Sequence, residues 1–90
     1  MTKPFDNVWD ALEDDPVKQE NLKLRSQLMI EINAVLDKKA QTQAEMAQLL
    51  ATTQPRISAL RKGKINNFRL DRLVDFATRL GLSVSISVAA

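Results

Sequence analysis

Cysteine and histidine are both absent from this 90-residue chain. Without cysteine there is no disulfide, no thiol nucleophile and no thiolate metal site, and without histidine the commonest general base and metal ligand is missing. Catalysis would have to run on carboxylates and lysines, and the carboxylates are scattered without partners for acid–base work. The chain therefore reads as a non-enzyme that needs no cofactor and no metal. No apolar run approaches the roughly 18 residues of a membrane span, and Met1-Thr2-Lys3-Pro4-Phe5-Asp6 lacks the apolar stretch of a signal peptide. A cytoplasmic location with no membrane partner is expected. Ninety residues also exclude a second independent domain. What is present, 44% hydrophobic and 27% charged residues, is ordinary for a soluble chain with one packed core, and excludes a disordered acidic tail or a fibrous repeat.

The formal net charge of +2 conceals an uneven distribution. Residues 1–20 carry Lys3 and Lys18 against Asp6, Asp10, Glu13, Asp14, Asp15 and Glu20, two cations against six anions and a balance of −4. Residues 56–72 carry Arg56, Arg61, Lys62, Lys64, Arg69 and Arg72 against Asp71 alone, six against one and a balance of +5. A concentrated basic stretch behind an acidic arm suits a polyanionic partner, with an ordinary solvated face as the alternative.

Hydrophobic spacing divides the chain into helices. Phe5, Val8, Trp9 and Leu12 fit a brief helical turn that Asp14-Asp15-Pro16 breaks. Trp9 with Phe5 and Leu12 reads as an anchor onto the chain's own core, with a partner-binding patch as the alternative. From about Lys18 to Lys39, Leu24, Leu28, Met29, Ile32, Val35 and Leu36 keep the rhythm of an amphipathic helix, capped by Asp14 or Asp15 with Pro16 near its first position. Thr42-Gln43-Ala44-Glu45 is a capping box that opens a short helix to Leu50. Thr52-Thr53 and Pro55 open another, which Gly63 closes. Leu70, Leu73, Val74, Ala77 and Leu80 form a last helix closed by Gly81, with Arg69 as N-cap and Phe68 and Leu73 placed as a hydrophobic staple.

The tail changes period. Leu82, Val84, Ile86 and Val88 alternate with Ser83, Ser85 and Ser87, the two-residue repeat of a half-buried strand. A single strand cannot satisfy its own backbone groups, and no second strand is legible in the chain. Pairing with the same segment of a second copy would satisfy both edges under a two-fold axis, so Leu82, Val84, Ile86 and Val88 are the expected dimerisation residues.

Two short helices joined at Ala51, with Ala47 on the first and Ile57 and Leu60 on the second, meet the needs of a steep crossing: a small side chain, a tight connection and aliphatic filling. Any helical corner in a bundle meets them too. The polar residues add a direction. With Ile57 and Leu60 inward, Gln54, Pro55, Arg56, Ala59 and the Arg61-Lys62 pair fall on the outside or its flanks. Such a helix suits the DNA major groove, where Gln bonds adenine, Arg bonds guanine and Pro or Ala touches a thymine methyl. Gln54, Pro55, Arg56 and Ala59 are therefore the candidate base readers. Gln43 at a helix N-terminus, Thr53, Ser58, Lys62, Lys64, Asn66, Asn67 and Arg69 are the candidate phosphate contacts.

At these residues, from Thr42-Gln43-Ala44-Glu45-Met46-Ala47 through Gln54-Pro55-Arg56-Ile57-Ser58-Ala59-Leu60 to Gly63, the chain resembles the helix-turn-helix of the XRE family, the phage repressor and Cro-like regulators. The resemblance covers roughly residues 24–81. It departs at the turn, where the family has glycine and this chain has Ala51, an alanine that would enter the left-handed region at a cost of about 1 kcal/mol. The acidic lead with Asn7-Val8-Trp9-Asp10-Ala11-Leu12, the long first helix, Phe68-Arg69-Leu70-Asp71-Arg72-Leu73 and the aliphatic tail also resemble compact HigA-like antitoxins. That second resemblance implies a bacterial protein that represses its own operon and neutralises a RelE-like ribonuclease toxin. A stand-alone phage or chromosomal repressor, or a protein-binding module without DNA affinity, are the alternatives.

The expected architecture is all-α, a lambda-repressor-like helix-turn-helix bundle of four to five helices with a short C-terminal β-strand. Residues 1–17 would be an acidic arm, 18–81 the DNA-binding domain and 82–90 a dimerisation strand. The implied partners are palindromic double-stranded DNA on the nucleoid, a second copy of the chain and a RelE-like toxin.

Overall fold

A computed structural model describes residues 15–90 of the chain. Four α-helices follow one another: α1 (Pro16–Lys39), α2 (Gln43–Leu49), α3 (Gln54–Arg61) and α4 (Leu70–Arg79), with a 3-10 turn at Ile65–Asn67 between the last two. Among the described residues no helix is long and apolar enough to cross a membrane. The expected turn at Phe5–Leu12 and the anchor at Trp9 lie outside the described residues.

The first three helices begin where a side chain takes an orphan amide. Asp15 caps α1, its carboxylate accepting from the Val17 amide at 2.9 Å, and Pro16 occupies the first turn where its missing N–H costs nothing. The cap carries α1 two residues further towards the N-terminus than its apolar rhythm indicates. The capping box is complete on α2: the Glu45 amide donates to the Thr42 hydroxyl at 3.1 Å and the Thr42 amide to the Glu45 carboxylate at 2.8 Å. Thr53 caps α3 by accepting from the Arg56 amide. Arg69 is the N-cap of α4 without a side-chain bond, and both staple residues, Phe68 and Leu73, are buried.

The last three helices all end in the same way. After α3, the Gly63 amide donates to Leu60 O at 3.1 Å and the Lys64 amide to Ala59 O at 3.0 Å; after α4, the Gly81 amide donates to Thr78 O at 3.0 Å and the Leu82 amide to Ala77 O at 2.9 Å. After α2 the Ala51 amide donates to Gln48 O at 3.2 Å and the Thr52 amide to Ala47 O at 2.9 Å. These are three Schellman closures, and each puts the residue after the cap in the left-handed region. Gly63 (φ 75°) and Gly81 (φ 85°) reach it freely, whereas Ala51 (φ 55°) does so with a Cβ. Ala51→Gly is expected to stabilise the domain by about 1 kcal/mol, a rise in Tm of about 4–8 °C. Gly63→Ala, where a Cβ would meet nothing within 4 Å, should lower it through backbone strain alone. Thermal melts of the two variants check both signs, and an Ala51→Gly protein that melts at or below the parent temperature would remove the strain argument.

The core is a single cluster drawn from every element. Ile32 and Leu36 of α1, Leu50, Ile57 and Leu60 of the helix pair, Phe68, and Leu73, Phe76 and Ala77 of α4 are at or near zero exposure. Burying each large side chain contributes on the order of 1.5–3 kcal/mol, which is what a chain without disulfides must rely on. The expected stripe of α1 is corrected in detail: Leu22 joins the buried set, while Leu24, Leu28 and Val35 lie half-buried along its edge.

The C-terminal strand is not present. No residue of 82–90 forms a strand, although the alternation is realised as packing, with Leu82 and Val84 against the core and Ser83 and Ser85 exposed. The physical reason is the lack of an edge to pair with, since every other element described in this chain is helical.

Candidate nucleic-acid interface

Helices α2 and α3 are joined by a four-residue turn, and Met46 and Ala47 of the first and Ile57 and Leu60 of the second are buried in the common core. This placement leaves the N-terminal turn of α3 in solvent, with Gln54 and Pro55 exposed. Ser58 and Ala59, one turn on, are half-buried, and Ala59 touches the edge of the core. Arg56 is half-buried as well, with its guanidinium carbon 4.6 Å from the centre of the Phe68 ring. An arginine at that distance over an aromatic face gains about 0.5–2 kcal/mol and a restricted orientation.

The expected phosphate contacts lie before, within and after this helix in the chain. Gln43 is exposed at the first residue of α2, and Lys62, Lys64, Asn66, Asn67 and Arg69 are exposed along the segment from α3 to α4. The Thr53 hydroxyl accepts the weak 3.4 Å cap bond and keeps its own hydrogen for another acceptor.

Charge pairing reduces the basic stretch to the cations that remain available. Arg61 turns back onto α1, donating to Asn33 O at 3.1 Å, to Asn33 Oδ1 at 2.8 Å and to the Asp37 carboxylate. Asn33 in turn donates to Leu60 O at 3.0 Å. Of the Arg61-Lys62 pair, expected on the outside of α3 or its flanks, Lys62 is exposed and Arg61 is the half-buried flank residue. Arg61 is four residues after the buried Ile57 and shares its face, so it fastens α3 to α1. Arg72 and Arg79 both pair with Asp75, at 3.4 and 3.2 Å. Arg56, Lys62, Lys64 and Arg69 then have no ion pair among the described residues, and all four lie on α3 or the segment after it.

Arg25 is a residue that periodicity alone overlooks. Its guanidinium donates to Ile65 O at 3.1 Å, to Phe68 O at 3.2 Å and to Asn21 Oδ1 at 2.7 Å. It thereby holds the segment that carries Lys64, Asn66, Asn67 and Arg69 against α1. The signal was in the sequence: Arg25 and Asn33 sit three or four residues from Leu22, Met29 and Leu36, polar residues on a buried stripe, and such residues must find partners there.

Helix α2, the tight turn and α3, with a core-fastened inner face and a polar, cation-flanked outer face, make up a helix-turn-helix. Residues 11–89 match the helix-turn-helix domain family. A solved structure named as an XRE family transcriptional regulator is similar to this chain at 32% sequence identity, with a TM-score of 0.74 over 81% of this chain and 82% of that one. No curated protein matches the chain. The chain belongs to the XRE helix-turn-helix family.

Proposed function

We propose that this protein is a sequence-specific DNA-binding repressor that inserts α3 into the major groove as one half of a symmetric homodimer. The observation that carries this reading is the distribution of free polar groups. Gln54 and Pro55 are exposed at the start of α3, Arg56 stands beside them, and Lys62, Lys64 and Arg69, cations without an ion pair among the described residues, are exposed on the segment that follows the same helix. An α-helix fits the groove, Gln and Arg discriminate adenine and guanine there, and flanking cations hold phosphates without reading sequence. The similar regulator of solved structure supports the same assignment. One α3 reads few bases, whereas two related by a two-fold axis match half-sites about 34–36 Å apart.

Within that reading the protein is the antitoxin of a toxin–antitoxin pair. The acidic first twenty residues, at −4, suit a basic ribonuclease of the RelE type and would leave the basic face to DNA. The full chain should then form a stable complex with a small basic ribonuclease encoded beside it, and a stand-alone repressor would form none.

The DNA reading is tested by two substitutions with different expected signatures. Arg56→Ala should cost about 1–3 kcal/mol on the operator and relax specificity at one base position per half-site. Lys64→Ala should weaken operator and random duplex alike and lower the salt dependence of binding by about one phosphate contact per subunit. Equal losses on both DNAs for both variants would sink the assignment.

A further inference from the structure

Arg25, Arg61, Arg72 and Arg79 all donate to protein oxygens, whereas the Arg56 guanidinium donates to none among the described residues. Yet Arg56 is not a loose surface cation. It is half-buried, with its guanidinium carbon 4.6 Å over the centre of the Phe68 ring, and Phe68 is only 1% exposed. That ring is itself fixed. Phe76 meets it edge-on at 6.0 Å and 68°, and Arg25 holds the carbonyls of Ile65 and Phe68 at 3.1 and 3.2 Å. The side chain on α3 whose donors meet no acceptor among the described residues is thus held over an aromatic ring, and a guanidinium held this way keeps N–H groups for an external partner.

We propose that Phe68 is a positioning residue for base readout: its ring fixes the Arg56 guanidinium so that Arg56 selects guanine at one position of each half-site. The proposal rests on the DNA-binding reading above and deepens it. Bidentate contact with guanine O6 and N7 needs a planar fork in one orientation, and ordering that fork before binding removes an entropic cost at the interface. A phosphate contact has no such need, because phosphates accept a cation from many directions and carry no sequence. The stack therefore favours a base over the backbone as the partner of Arg56.

The test uses the full chain and duplexes selected from a random-sequence library, followed by affinities for the selected duplex and each of its single-base changes. The parent protein should prefer guanine at one position per half-site by about ten-fold or more. Phe68→Leu should lose most of that preference while its affinity for random duplex and its salt dependence stay unchanged. In an Arg56→Ala background, Phe68→Leu should have no further effect at that position, which a general structural role would not reproduce. Because Phe68 is a core residue, the parent protein supplies an independent readout. In its free state the Arg56 δ-methylene and Nε protons should show upfield ring-current shifts by NMR. Unshifted Arg56 resonances, or full guanine preference in a folded Phe68→Leu protein, would overturn the positioning role and leave DNA binding intact. A parent protein that enriches no sequence from the library would overturn the DNA reading itself, and this proposal with it.

Discussion

Phe76→Ala is expected to remove about 3–5 kcal/mol of stability, the ordinary loss for emptying a buried phenylalanine site. A domain of this size has about 5–10 kcal/mol in total, so a Tm fall on the order of 20 °C follows. The size of the effect comes from where the ring sits. Phe76 is fully buried on α4, meets Phe68 edge-on at 6.0 Å and lies under the Arg72 guanidinium at 5.0 Å. Its loss opens a cavity where α4 and the Phe68 segment meet, and this rigid, interlocked site has little room to collapse. Phe76→Leu, which keeps most of the volume, should cost much less. The functional consequence runs through Phe68: with its neighbour gone the ring loses its support, and operator affinity should fall even where the variant remains folded. Melting curves followed by circular dichroism, beside duplex binding below the lowered midpoint, measure both parts. A Tm drop of only a few degrees would mean that Phe76 does not anchor the core.

The helices and the exposure of the first turn of α3 are legible because their signals are local. Asp15, Thr42 and Thr53 each cap the helix that follows them, and Gly63 and Gly81 stand at left-handed closures. Gln54 and Pro55 are exposed where the inward placement of Ile57 and Leu60 requires. The partners of Arg61 have no such local signal: its flank position follows from its spacing to Ile57, but Asn33 and Asp37 lie on a helix more than twenty residues earlier. Phe68 was legible as a staple and not as a platform for Arg56, because that contact joins two segments across a turn and has no periodic signature. The same holds for Arg25, whose acceptors lie 40 and 43 residues away. Sequence thus reports which face a residue shares, and the tertiary contact decides what it does there.

The alternation of the tail is legible in the sequence, the expected strand is not formed in the single chain, and the second large effect concerns the partner that such a strand would need. Leu82 and Val84 lie against the core, but Ile86 is 56% and Val88 89% exposed, two aliphatic side chains in a row on the pattern's apolar side. Ile30 of α1, 66% exposed, and Leu24 and Leu28 border the same surface, a groove lined also by Val74 and Ile86. A second copy whose tail pairs antiparallel with this one would satisfy the free backbone groups and cover these side chains at once. Replacing Ile86 and Val88 together by lysine is the sharpest test. Both positions are exposed in the single chain, so the monomer's core and the closure of α4 by the Leu82 amide are untouched, whereas in the dimer four lysines would be set among the aliphatic residues of the paired tails. The parent should sediment as a dimer at micromolar concentration and the double variant as a monomer with an unchanged Tm at low concentration. Affinity for a palindromic duplex should fall by about a hundred-fold or more, since the second α3 then binds as an independent molecule and not at the high effective concentration that tethering supplies. A parent protein that is monomeric at that concentration, or a double-lysine variant that dimerises as well as the parent, would place the interface elsewhere on the molecule.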